Sequence, residues 1–103
     1  MKKILFILLT LGTLNINAQE KKKQIRNQIV EASCGQCQFG LQDKGCDLAI
    51  RFENKAYYLV GTTIDDHGDS HAKDGFCNAI RNAKVSGTIK NGKFLVKQFT
   101  LIP

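Results

Sequence analysis

The residues of this 103-residue chain whose types and spacing could do chemistry are its four cysteines, Cys34, Cys37, Cys46 and Cys77, and its two histidines, His67 and His71. Cys34 and Cys37 stand in Cys-Gly-Gln-Cys, a spacing that can present both sulfurs to one tetrahedral ion, with zinc–thiolate distances of about 2.3 Å. Cys46 and Cys77 would complete a tetrathiolate, or His67 or His71 would replace one sulfur. Zinc leads, with copper or iron behind it, because thiolates select soft cations and imidazole suits all three metals. His67 and His71 are four apart and share a face if a helix begins early. Asp65, Asp66 and Asp69 could then orient their ring N–H groups. Against the metal, only one paired-cysteine half is present, where a zinc ribbon has two.

The same residues admit other chemistry. An even number of cysteines in a short exported chain also reads as a disulfide framework, with three possible pairings. In the loop-entropy account a Cys34–Cys77 bridge adds about 4 kcal/mol, Cys37–Cys46 about 2.7 and Cys34–Cys37 about 2. Thiol–disulfide exchange through Cys34 and Cys37 is the competing enzymatic class, an oxidoreductase. It normally needs a helix behind the first cysteine to lower its pKa, and Gln38-Phe39-Gly40-Leu41-Gln42 is a weak helix former. Haem attachment through Cys-x-x-Cys-His is excluded by Gln38. Calcium fails as well. With Asp65 first in an EF-hand loop, Ser70 stands where glycine is needed and Phe76 where glutamate is needed. The bland alternative for the histidine segment is a solvated acidic loop.

The elements that must position these residues follow from periodicity. Gln28 to Ala32 reads as a first strand ending in a turn at Ser33–Cys37. Cys46, Leu48, Ile50 and Phe52 alternate with Asp47, Ala49 and Arg51, the period of a half-buried strand, which points Cys46 inward. Glu53-Asn54-Lys55 connects it to a partner strand, Ala56 to Val60. Ser70 can cap a helix to about Asn82 with Phe76, Cys77, Ile80 and Ala83 toward the core. Strands Lys84 to Lys90 and Lys93 to Ile102 flank Asn91-Gly92, a hairpin turn whose central residues take positive φ. Phe94 and Val96 share one parity and Phe99 and Leu101 the other, so a bulge near Lys97–Gln98 is expected. Five strands with a helix between the third and fourth is the connectivity of a small OB-like barrel, an α+β, mostly β fold. The alternative is an open antiparallel sheet with one helix across a face.

Residues 1–18 carry Lys2 and Lys3, an apolar run from Ile4 to about Leu14, and Ala18 at the expected cut, the layout of a cleavable signal peptide. The run is too short for a membrane span, which needs about 20 apolar residues. The expected place of work is periplasmic or secreted. Residues 19–27 read as a basic flexible tail and 28–103 as a single small domain. The formal charge of +6 is concentrated at the start of the chain. From Asn27 onward nine Lys and Arg face eight Asp and Glu. That balance argues against nucleic acid, although an OB-like barrel carrying Phe52, Tyr57, Tyr58 and Phe94 invites the idea of base stacking. A metal ion is the one partner the residues suggest.

The segments CGQCQFG, CDLAI, IDDHGD with the following HA, GFCNAIR and a closing V-x-G hairpin resemble a family of small exported bacterial proteins of unknown function. The resemblance runs from roughly Val30 to Leu101. It implies that this stretch is one domain and implies no activity.

Overall fold

The computed structural model describes residues 22–103. The signal-like segment 1–18 and the first residues of the basic tail lie outside the described residues. Alternation of apolar and polar side chains sets most of the strand faces. In β2 (Leu48–Phe52) Leu48 and Ile50 turn into the core as the sequence requires, with Ala49 also buried against a neighbour. A two-residue turn, Glu53-Asn54, with φ of 52° and 68°, joins β2 to β3 (Lys55–Val60), so Phe52 faces Lys55.

The second hairpin closes at Asn91-Gly92, with φ of 55° and 77°. It joins β4 (Arg81–Lys90) to β5 (Lys93–Leu101). Within that ladder Ser86 pairs with Gln98 and Gly87 with Val96, which leaves Lys97 as the extra residue of the expected bulge. The bulge restores the parity. Phe94 is fully buried, and Val96, Phe99 and Leu101 all pack against the core although their spacing crosses from one parity to the other.

The first strand is longer than its sequence pattern suggests. β1 spans Lys23–Cys34, so the basic stretch expected to be a flexible tail through residue 27 is strand from Lys23 onward. Ile25, 3% exposed, is the reason, because it enters the core opposite Gly87 while Lys23 and Arg26 remain outside. A second bulge at Arg26–Asn27 hides this from a period-two reading. Asn27 sits at φ 48° and its backbone N–H donates to Ser86 Oγ at 2.9 Å.

The strands close into a barrel in the order β1-β2-β3-β5-β4, antiparallel throughout except for the β3–β5 ladder, which is parallel. This is the expected OB-like barrel, and closure rules out the open sheet. A closed barrel leaves no unpaired sheet edge to protect. Phe94, Ile50 and Val85 are its largest fully buried apolar side chains.

One expected element does not form. Between β3 and β4 stands a 3₁₀ turn, Ile64–His67, followed by a series of turns instead of a helix from Ser70 to Asn82. Asn78 Nδ2 donates to the carbonyls of His71 and Ala72 at 3.0 and 2.9 Å, taking backbone acceptors that a helix would use. Such side-chain competition is a known breaker of helices. The helical turn that does form, α1 (Gly35–Gln38), lies where only a turn is expected. Among the described residues no helix is long and apolar enough to cross a membrane.

Because the Phe94 ring fills the barrel interior, Phe94→Ala should cost about 3–5 kcal/mol of unfolding free energy. Urea denaturation measures it; a loss below about 1 kcal/mol would show that the interior is not organised around this ring.

Candidate metal centre

The four cysteines meet at one mouth of the barrel, where β1 ends. Cys34 is the last residue of β1, fully buried, and caps α1. Its Sγ accepts the backbone N–H of Cys37 at 3.4 Å. Folding this tight turn against the barrel wall requires Gly35. A Cβ there would lie 2.8 Å from Leu41 Cδ1 and 2.9 Å from Tyr58 Cε1. Cys37 is consequently lifted to the exposed side of the turn.

Cys46 precedes β2 by two residues instead of belonging to it, and Cys77 lies in the turns before β4. Both are half-buried. Outside any strand or helix, both sit at the rim, packed against the edge of the core.

The sulfurs are close. Those of Cys34, Cys37 and Cys46 all lie within 4.8 Å of one another, so three cysteines are positioned to bind a metal ion. Cys37 and Cys46 are 3.9 Å apart and Cys46 and Cys77 3.1 Å apart. All four are free thiols. A tetrahedron with arms of about 2.3 Å has edges of about 3.8 Å, so the Cys37–Cys46 separation already suits a tetrahedral thiolate centre.

The thiols also perturb one another. Burial pushes the Cys34 thiol up, but hydrogen bonds from the Cys46 and Cys37 thiols and from backbone N–H groups outweigh it and hold the group below its ordinary value. The hydrogen bond to Cys34 raises Cys37, with burial adding to it. Burial, then hydrogen bonding to Cys34 and Cys77, raises Cys46 strongly. Cys34 is thus the thiol whose ionised form its neighbours favour.

The polar residues between and beside the cysteines hold the segments together, a role that ligand spacing does not reveal. Gln36 Nε2 donates to Asp47 Oδ2 at 2.8 Å and to the Lys44 carbonyl at 3.2 Å, while its Oε1 accepts the Asp47 N–H at 2.8 Å. These bonds clamp the loop that carries Cys46. Gln38 Nε2 donates to the Cys77 carbonyl at 2.9 Å and fixes the fourth cysteine. Buried Ser33 places its Oγ 2.7 Å from the Phe76 carbonyl and 2.6 Å from that of Ala79. Phe39 is covered by the Arg51 guanidinium, 4.8 Å from its ring centroid, and Arg51 pairs in turn with Glu31 on β1. The alternating amide side chains of Cys-Gly-Gln-Cys-Gln are the signal in the sequence that marks these clamps.

The histidines are placed differently. His67 packs its ring on Phe99, with centroids 4.5 Å apart, and meets Phe76 edge-on at 6.3 Å; its Nε2 lies 2.8 Å from Thr62 Oγ1. His71 is exposed, its backbone N–H bonded to Asp69 Oδ1 at 2.9 Å. Among the described residues neither histidine joins a group of three potential ligands. Asp66 reaches the His67 ring only through the Thr62 hydroxyl, which lies 3.2 Å from Asp66 Oδ2 and 2.8 Å from His67 Nε2. It accepts the Thr63 backbone N–H at 2.9 Å, which lowers its carboxyl pKa.

Fold and site together define a small closed five-stranded barrel with a cysteine cluster at one mouth, able to take a metal ion. The chain belongs to a family of unknown function (DUF6370), matched over residues 28–102, which includes every cysteine and all of β2 to β5. No curated protein and no solved structure matches it.

Removing the Ser33 hydroxyl leaves the Ala79 carbonyl without that donor, while Phe76 keeps the Cys34 N–H at 3.1 Å. Ser33→Ala is therefore expected to cost about 1–3 kcal/mol. Amide exchange should accelerate first at Cys77 to Ala79, and uniform acceleration across the barrel would contradict this anchoring role.

Proposed function

We propose that this protein is a small thiolate metal-binding domain that works outside the cytoplasm, holding zinc through Cys34, Cys37 and Cys46 with Cys77 as the fourth ligand. The observation that carries the reading is the mutual approach of three sulfurs to within 4.8 Å, with a fourth 3.1 Å from one of them. Three separate chain segments converge on that point, and convergence of thiolates is what a tetrahedral soft cation requires. Export rests on the layout of residues 1–18. The domain's own role is binding.

The oxidoreductase reading is weaker on access. An exchange nucleophile has to be reached by its substrate disulfide and to ionise; Cys34 is fully buried, and the exposed Cys37 has its thiol raised by the hydrogen bond to Cys34. His67 and His71 contribute to the shape and solvation of the neighbouring loop instead of to the ion.

Under reducing conditions the protein should bind one zinc per chain, measured by competition with a chromophoric chelator. If the apparent binding energy of a structural zinc, about 10–16 kcal/mol, is shared over four ligands, each of Cys34→Ser, Cys37→Ser and Cys46→Ser weakens binding by roughly 100-fold or more. His67→Ala and His71→Ala leave it within about threefold, and a strong chelator lowers Tm of the wild-type protein and of these histidine variants but not of the cysteine variants. Two disulfides in the protein as taken from cells, or histidine variants that lose zinc as the cysteine variants do, would overturn the assignment.

A further inference from the structure

We propose that Cys46 is shared between two mutually exclusive states of the site: with Cys34, Cys37 and Cys77 it holds the metal, and with Cys77 alone it forms a disulfide that expels the metal. The inference rests on the metal-binding reading above and adds to it a response to oxidants.

The geometry singles out Cys46. Its sulfur belongs to the three-sulfur group and also lies 3.1 Å from Cys77 Sγ, nearer than its 3.9 Å approach to Cys37. A disulfide needs the two sulfurs at about 2.05 Å, so roughly 1 Å of closure suffices. The two segments can supply it, because neither cysteine lies in a strand and Cys46 follows an exposed run, Gln42 to Gly45. Both residues are half-buried, so a small oxidant reaches them.

Cys34 is poorly placed for the same reaction. It is buried, and its backbone N–H is bonded to the Phe76 carbonyl at 3.1 Å. Its Sγ is engaged by the Cys37 N–H within a single helical turn.

The reaction balances with a peroxide as oxidant. The thiolate of Cys77 attacks a peroxide oxygen, the O–O bond breaks, hydroxide leaves and Cys77 becomes a sulfenic acid. Cys46 then attacks that sulfur, its thiol proton leaving with the displaced hydroxide as water, and the S–S bond forms. With hydrogen peroxide, two thiols and one peroxide give one disulfide and two waters. Cys34 and Cys37 remain as two thiolates, short of the four ligands of a closed zinc site, and the ion leaves to solvent or to another chelator. Reduction of the disulfide restores the ligand set.

The test loads the reduced protein with zinc, adds hydrogen peroxide in steps, and follows release with a chromophoric chelator while the crosslink is mapped by mass spectrometry of unreduced peptides. The expected result is release of the bound zinc at about one peroxide per chain, a Cys46–Cys77 crosslink, and recovery of binding after dithiothreitol. Cys77→Ser should bind zinc more weakly yet release it to peroxide at least roughly tenfold more slowly. The wild-type crosslink map stands whether or not that variant folds. Zinc that is bound but unmoved by peroxide, or released with a Cys34–Cys37 or Cys37–Cys46 crosslink, overturns the switch and leaves the metal site standing. Absence of bound zinc before any peroxide overturns the metal reading and the switch together.

Discussion

The arrangement depends on one constraint: β1 runs past the end of its neighbour, and its buried backbone must still be satisfied. The β1–β4 ladder ends at Ala32 opposite Arg81, whereas β1 continues through Ser33 to Cys34. Buried N–H and C=O groups left without partners carry a large cost. The segment before β4 meets the demand, with Phe76 accepting the Cys34 N–H and the Ser33 hydroxyl reaching the Phe76 and Ala79 carbonyls. On the other side the Gly35 N–H donates to the Asp47 carbonyl at 2.7 Å, just beyond the last β1–β2 pair, Cys34 with Leu48. Three consecutive residues thereby tie down the loops that carry Cys77 and Cys46. The sulfurs meet because the backbone there has to be bonded to something.

The same constraint accounts for which parts of the fold were legible in the sequence. Where a strand has a neighbour on each side and one face in the core, alternation tells the truth. Leu48 and Ile50 are buried as their parity demands, and the change of parity in β5 correctly betrays the Lys97 bulge. The start of β1 was not legible, because a bulge at Arg26–Asn27 breaks the period and the residues around Ile25 are charged or polar. The connection from Ser70 to Asn78 carries an apolar spacing that suits a helix. It is governed instead by Gly75, where a Cβ would sit 2.3 Å from the Asp69 carbonyl oxygen, and by the amide of Asn78. The spacing describes which side chains face inward; it does not count the hydrogen bonds that neighbouring elements claim.

The site divides along a similar line. Cysteine spacing identifies the sulfurs that converge, since two thiols with only two residues between them can hardly avoid sharing a neighbourhood. Pairing His67 with His71 presupposes a helical turn between them. The 3₁₀ turn ends at His67, and Gly68, at φ 102°, redirects the chain so that His71 emerges into solvent. His67 keeps an aromatic contact with Phe76, next to Cys77 in sequence, so it borders the site through packing. The clamping amides of Gln36 and Gln38 are not legible in ligand spacing, because its rules concern atoms that could hold an ion, whereas these hold the loops that carry the cysteines.

Barrel closure and the cysteine cluster are separable in their physics. The five ladders form one continuous ring of backbone hydrogen bonds, and the largest apolar residues inside, Phe94, Ile50 and Val85, lie on β5, β2 and β4. None of that bonding passes through Cys37, Cys46 or Cys77. A change at the mouth, whether loss of an ion or joining of two thiols, therefore acts on loops attached to a ring that is already closed. Local rearrangement of this kind draws on the less stable end of a protein's free-energy spectrum while the packed strands remain folded. Cys34 is the exception, since it is both a core residue and the last residue of β1. It anchors the site to the ring, and the three remaining cysteines can alter their bonding around it without reopening the fold.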